Sequence, residues 1–271
     1  MVKPVPKPAD ALPRFAEERR ARILKWLQQQ GRVEVLDLAR MLEVSEHTIR
    51  RDLLELQAQG ALQKTHGGAV MLDTARLGFE ARAGVLAKAK DAIGHAAAQL
   101  IEPGQTVILD AGSTTLAMAR SVTARPLTVI TNALDVAALF DRDPAVQLLI
   151  TGGTWQPQQR ALWGPAAHDL LAHCRADWAV PGACALDARM GITASDEADA
   201  AIKRAMISAA TRTLILADHS KQQNVAPFVV AAWSQVHTLV TDRAWPEVAA
   251  LGVDVQVAGP SSAARLRTRA R

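Results

Sequence analysis

The chain has 271 residues, of which 49% are hydrophobic and 21% charged, enough for two ordinary domains with real cores. No uncharged apolar run reaches the roughly 18 residues of a membrane-spanning helix, and Cys174 and Cys184 form neither a CxxC pair nor a disulfide framework, which fits a reducing cytoplasm. The net charge of +4 is unevenly placed: +3 over residues 1–72, −3 over residues 73–260, and four arginines without an acid in residues 261–271. Basic ends suit a polyanionic partner, although a solubilising tail explains the last segment equally well.

Residues 1–14, with Pro4, Pro6 and Pro8, read as a disordered basic arm without the apolar segment of a signal peptide. Helical spacing follows over 14–30, where Phe15, Ile23, Leu24 and Leu27 share a face and Gly31 is a stop signal. A short helix is expected over 35–42, with Leu36, Ala39 and Leu42 on one side. Glu43-Val44-Ser45 makes a tight turn, and Ser45 is a good N-cap for a third helix over 45–59. There Ile49, Leu53 and Leu56 form a buried stripe. His47, Thr48 and Arg51 fall on the opposite side, with Arg50 on the flank. An exposed helix start bearing His, Thr and two Arg is what reading base edges in a major groove needs; the alternative is a solvated charged face. Residues 62–70 then read as two short strands around Gly67-Gly68, a wing that brings Lys64, Thr65 and His66 to phosphates.

The run VSEHTIRRDLLELQAQGALQKTHGGAV, with TIRRDL followed at fixed distance by HGGA, resembles the DeoR family of repressors, and the likeness extends over residues 19–70. It implies a winged helix-turn-helix domain at 15–71 with the helix-turn-helix itself at 33–52. It implies sequence-specific binding to a double-stranded DNA operator by a homo-oligomer, dimer or tetramer. The DNA contacts would come from Ser45, His47, Thr48, Arg50, Arg51, Lys64, Thr65 and His66.

Residues 72–87 read as a linker and 88–101 as a helix. Short apolar, β-branched runs at 106–109, 127–130, 146–150, 178–180, 213–216, 237–240 and 253–257 alternate with helical patterns. This predicts an α/β domain over 88–258 with a mostly parallel sheet covered on both faces, and a basic tail over 259–271. Ligands of such sheets bind beyond the carboxyl ends of the strands. The first strand runs into Asp110-Ala111-Gly112-Ser113-Thr114-Thr115 and a helix, either an anion site or an ordinary helix cap. No GxxxxGK[ST] motif accompanies it. Thr131-Asn132, Thr151-Gly152-Gly153 and Asp218-His219-Ser220-Lys221 end other strands, and Lys203 and Lys221 are available as cations.

The resemblance continues over residues 77–242, through Lys90-xx-Ile93-Gly94, DAGSTT, VITNALDVA, Lys203-Arg204-Ala205-Met206 and LADHSK. It implies a sensor domain similar to sugar-phosphate isomerases that binds a phosphorylated sugar through Asp110, Gly112, Ser113, Thr114, Thr115, Thr131, Asn132, Gly152, Gly153, Lys203 and Lys221. Three positions depart from the family pattern: Asp199 stands where Glu is frequent, Cys184-Ala185-Leu186-Asp187 replaces a Gly-Ile-Asp segment, and Gln222-Gln223 follows LADHSK in place of Phe-Gly.

His168, His173 and Cys174 are the nearest approach to a metal set, and a surface helix accounts for them without one. Trp155 and Trp163 bracket a loop after Gly153, where core packing competes with a place in a sugar pocket. The expectation is a cytoplasmic transcription regulator, a repressor of a carbohydrate-catabolism operon relieved by a phosphorylated sugar, with no catalytic residue, metal, cofactor or membrane partner. Two alternatives stand beside it. One is a sugar-phosphate isomerase fused to a DNA-binding head, with Asp110, Asp196, Asp199 and Lys203 as acid–base candidates. The other is an architectural DNA binder whose second domain only oligomerises.

Overall fold

The computed structural model describes residues 16–58, 61–71 and 79–259. The expected arm at 1–14, Phe15 and most of the basic tail lie outside the described residues. Contacts divide the chain into two units, one ending at Asp73 and the other starting at Thr74.

In the first unit α1 (Ala16–Gln30), β1 (Arg32–Glu34), α2 (Val35–Met41), α3 (Glu46–Ala58), β2 (Leu62–Lys64) and β3 (Gly68–Met71) follow one another. Ile23, Leu27, Leu38, Ile49, Leu53, Leu56 and Leu62 close one apolar core. On α2 the buried face is Val35 and Leu38, continued by Leu42; of the expected Leu36–Ala39–Leu42 face, Leu42 is buried and Ala39 packs against the core, whereas Leu36 is 51% exposed. The strands form an antiparallel sheet in the order β1-β3-β2. β1 was not expected, because three residues with one buried Val33 give too short an alternation to read. It explains Gly68: a Cβ there would sit 1.9 Å from the Val33 carbonyl oxygen, so only glycine lets β3 lie against β1.

A buried ion pair ties α1 to α3. Arg19 donates to both carboxylate oxygens of Asp52, at 2.5 and 3.2 Å, and Asp52 is 4% exposed. Asp52→Asn keeps one acceptor and loses the charge, so it is expected to lower the stability of this unit by about 1–2 kcal/mol in urea denaturation.

The second unit runs α4 (Phe79–Gly84), α5 (Ala87–Ala98), β4 (Thr106–Leu109), α6 (Ser113–Ser121), β5 (Leu127–Thr131), α7 (Leu134–Phe140) and β6 (Val146–Ile150). It continues through β7 (Thr154–Gln156), β8 (Ala161–Trp163), α8 (Pro165–Ala172), β9 (Ala176–Val180), β10 (Ala185–Asp187), β11 (Gly191–Ala194), α9 (Glu197–Ser208) and β12 (Ala210–Ala217). It ends with β13 (Phe228–Ala231), β14 (Thr238–Thr241), α10 (Pro246–Ala249) and β15 (Asp254–Val257). Seven strands form one sheet in the order β15-β14-β12-β9-β4-β5-β6, and every neighbouring pair is parallel. The seven apolar runs of the sequence are these seven strands. The apolar runs of the inner strands reflect burial on both faces, whereas the edge strands β6 and β15 are only partly covered.

Two small antiparallel sheets, β10-β11-β13 and the β7–β8 hairpin, were not foreseen. Just before the hairpin Gly153 has φ +112, and a Cβ there would lie 2.4 Å from the Trp163 carbonyl oxygen. Helix α4 falls inside the segment expected to be a linker. Phe79 packs against the main core, which a short polar-looking stretch did not announce. No helix among the described residues is long and apolar enough to cross a membrane.

The strand order fixes where a ligand would sit. From β4 the chain moves outward through β5 to β6, then returns to place β9 on the other side of β4. The loops after β4 and β9 therefore part in opposite directions and leave a crevice at the carboxyl edge of the sheet.

Candidate functional sites

The first site is the start of α3 with the β2–β3 hairpin. The Ser45 hydroxyl accepts the Thr48 N–H at 3.2 Å and lies 2.9 Å from the Thr48 hydroxyl. Ser45 is thus the helix cap, and its hydroxyl already has protein partners. Arg50 is drawn along the helix to Glu46 at 2.5 Å. His47 and Arg51 are exposed, and Arg51 has no ion-pair partner among the described residues. In the hairpin, Thr65 and His66 are exposed at the tip. The Lys64 N–H donates to the Gln57 side chain of α3 at 3.3 Å, which braces the hairpin against the helix. Of the eight residues expected to meet DNA, His47, Arg51, Thr65 and His66 are the openly exposed groups without a side-chain partner among the described residues. Thr48 and Lys64 are half-buried.

The second site is a cavity at the crevice between β4 and β9. Its wall is made by Ala111, Gly112, Ser113, Thr114 and Thr115 from the β4–α6 turn, Gly182, Ala183 and Cys184 after β9, and Leu216 and Ala217 at the end of β12. Four cations line it, Arg82, Lys90, Lys203 and Lys221, together with Asp199 and Gln159. The first turn of α6 has no side-chain cap, so its backbone N–H groups and the Ser113 and Thr114 hydroxyls remain for a bound anion.

Asp110 is not part of the wall. It is 1% exposed and fully occupied: Oδ1 accepts the Ala111 N–H at 2.7 Å and the Asn132 amide at 3.0 Å, and Oδ2 accepts the Gly182 N–H at 2.8 Å. One carboxylate thus joins the turns after β4, β5 and β9. Thr131 and Asn132, also expected to meet ligand, serve the same frame. Thr131 donates to the Leu109 carbonyl at 2.7 Å, and Asn132 accepts the Ala111 N–H at 3.1 Å. Gly152 and Gly153 belong to the β6–β7 connection and do not line the cavity. Six of the eleven expected residues meet at the wall: Gly112, Ser113, Thr114, Thr115, Lys203 and Lys221.

Lys203 is 3% exposed, hydrogen-bonded to Asp199 and 3.6 Å from Asp110. Burial works against its charge, but the two carboxylates outweigh burial and hold the amine protonated. The Asp199 that departs from the family pattern is thus spent on Lys203 one helical turn away. Asp196 caps α9 by accepting the Ala198 and Asp199 N–H groups. Of the four acid–base candidates of the isomerase reading, Asp110 and Asp196 are therefore committed to structure, and Asp199 and Lys203 are paired with each other at the wall.

Arg82, Lys90, Gln159, the turn after β9 and Asp199 join the wall without having been placed there by sequence. Lys90 was legible: it is a lone lysine one turn from Ile93 and two turns from Ala97 on the buried face of α5. Its Nζ donates to the Arg82 carbonyl. Burial pushes the Lys90 amine down to about 8, aided by Lys221 and Arg82 and opposed by Asp218. The unfolded chain, with lysine near 10.5, then binds more protons than the folded one between about pH 8 and 10.5. The cost of holding Lys90 charged is fully present below pH 8, and stability from this group rises as pH passes through that window. The ligand-free protein is expected to gain melting temperature relative to Lys90→Met between pH 8 and 9.5. A bound anion should flatten that difference.

Three helices with an antiparallel wing, and a separate parallel α/β unit with a cationic cavity at its switch point, define a DNA-binding regulator with a ligand-sensing domain. The chain belongs to the DeoR family: the DeoR-like helix-turn-helix domain model matches residues 19–75 and the DeoR C-terminal sensor domain model residues 86–243. It is 33% identical over 231 residues to the HTH-type transcriptional repressor GlcR of Bacillus subtilis, covering 84% of this chain and 89% of that protein. It is 35% identical over 228 residues to the L-fucose operon activator of Haemophilus influenzae, covering 83% and 91%. Among solved structures, ribose 5-phosphate isomerase A of Methanocaldococcus jannaschii is similar with a TM-score of 0.36 and 15% identity, over 49% of this chain and 53% of that one. The protein is a transcription regulator and not an enzyme.

Proposed function

We propose that this chain represses a carbohydrate-catabolism operon and releases it when a phosphorylated sugar enters the cavity at the amino end of α6. The observation that carries the reading is the uncapped first turn of α6, with Ser113, Thr114 and Thr115, opening into a space lined by Arg82, Lys90, Lys203 and Lys221. Unpaired N–H groups, hydroxyl donors and ammonium groups around one space suit a phosphate dianion. Several relatives are named for sugar operons or for repression, among them a putative aga operon repressor, which supports both halves of the reading; the L-fucose operon activator shows that the sign varies among relatives.

In the same reading the protein acts in the cytoplasm on double-stranded DNA. Arg51 and His47 of α3 lie in the major groove, Thr65 and His66 meet the backbone, and Ser45, Thr48, Arg50 and Lys64 support them. It works as a homo-oligomer, dimer or tetramer, so that two reading heads meet a repeated operator. The effector must bind one arrangement of those heads better than another to change DNA affinity.

Calorimetric melting with a panel of sugar phosphates, their unphosphorylated sugars and inorganic phosphate tests the cavity. At least one sugar phosphate should raise the melting temperature by several degrees where its parent sugar does not, and Ser113→Ala should remove most of the gain. Equal effects of sugar and sugar phosphate would contradict it.

A further inference from the structure

The β7–β8 hairpin contributes Gln159 and Ala161 to the cavity, one on each side of Arg160, the residue that fixes the hairpin in place. Gln159 is half-buried, and its amide has no hydrogen-bond partner among the described residues. Its neighbours are pinned on both sides. The Phe79 N–H of α4 donates to the Gln158 carbonyl at 3.0 Å. Arg160 grips both carboxylate oxygens of Asp135 on α7, at 2.5 and 2.6 Å. The same guanidinium lies 5.7 Å from the ring centre of Phe79 and 6.0 Å from that of Trp155. Arg160 also adopts φ +57, a left-handed backbone that an arginine rarely takes, and its N–H closes the turn onto the Gln156 carbonyl at 2.8 Å.

We infer that Gln159, held over the cavity by this Arg160 latch, contacts the hydroxyl groups of the effector and decides which sugar is accepted. The inference rests on the sugar-phosphate reading of the cavity and adds the residue that selects among sugars. The chemistry follows from the wall. The α6 turn and the cations suit phosphate, and Asp199 and Lys203 satisfy each other. Gln159 is the one amide among the lining side chains, neutral and able both to donate and to accept. A sugar hydroxyl needs that pair of roles, and a phosphate dianion does not. A site that hydrogen-bonds a hydroxyl discriminates against the epimer or deoxy sugar that leaves its amide unpaired. Arg160 is a positioning residue: it touches Asp135, Phe79 and Trp155 and fixes the turn from which Gln159 reaches the ligand.

Titration calorimetry tests this with epimeric and deoxy hexose 6-phosphates and inorganic phosphate on the full-length protein, as wild type, Gln159→Ala, Gln159→Glu, Arg160→Ala and Arg160→Lys. Wild type is expected to separate its best and worst sugar phosphates by about tenfold or more. Gln159→Ala and Arg160→Ala should compress that ratio to about threefold or less, chiefly by weakening the best sugar. Gln159→Glu, which keeps acceptors and loses donors, should reorder the sugars. Arg160→Lys, which retains the pairing with Asp135, should keep more of the ratio than Arg160→Ala. Wild-type ranking and ratio in both Gln159 variants would overturn the inference and leave the sugar-phosphate reading standing. If wild type holds no sugar phosphate more tightly than inorganic phosphate, the sugar-phosphate reading falls and the role of Gln159 falls with it.

Discussion

Asp110→Ala is expected to destabilise the second unit by about 3–5 kcal/mol, in the range for breaking a buried, hydrogen-bonded charge pair. The carboxylate serves three turns at once. Without it the N–H groups of Ala111 and Gly182 and the Asn132 amide each lose an acceptor, and Lys203 retains only Asp199 against its burial. Asp110→Asn preserves the shape and one acceptor, so it should cost clearly less. The measurement is urea denaturation followed by tryptophan fluorescence, since Trp178 lies in the strand next to β4. If Asp110→Ala cost under about 1 kcal/mol, the joined turns would not be the frame of the cavity.

Arg51→Ala is expected to weaken operator binding by about 1–3 kcal/mol, roughly 5–150-fold, with a much smaller loss on random DNA. The structure separates the two arginines of the TIRRDL run. Arg50 is paired with Glu46, whereas Arg51 stands exposed without an ion-pair partner among the described residues. A free guanidinium at the start of a helix can reach both acceptors of a guanine. Arg50 would first have to leave its carboxylate, so Arg50→Ala should cost less than Arg51→Ala. Equal losses on operator and random DNA would make Arg51 a phosphate contact. Salt must be fixed in the comparison, because phosphate contacts alone make affinity steeply salt-dependent.

The seven-stranded parallel sheet was legible because each strand is an apolar, β-branched run between helical patterns. The short antiparallel pieces were not, since three residues such as 32–34 or 154–156 carry too little alternation. The α6 turn was legible in its Gly, Ser and Thr residues at a strand–helix junction. Sequence could not say which strand-end polar groups face the ligand and which hold the frame. Asp110, Thr131 and Asn132 have the composition of ligand contacts, yet they are bonded to nearby backbone groups and, for Asp110 and Asn132, to each other. Arg82 and Gln159 come from α4 and the β7–β8 hairpin, segments whose place over the crevice is set by tertiary packing through Phe79 and Arg160.

Fluorescence anisotropy tests the central claim most directly, with DNA from upstream of the chain's own gene, at one salt concentration, with and without each sugar phosphate. The account predicts that one sugar phosphate shifts operator affinity by about 5–150-fold, the span of typical coupling energies. The shift should be absent with the parent sugar and lost in Ser113→Ala. Tight operator binding that no sugar phosphate alters would contradict it.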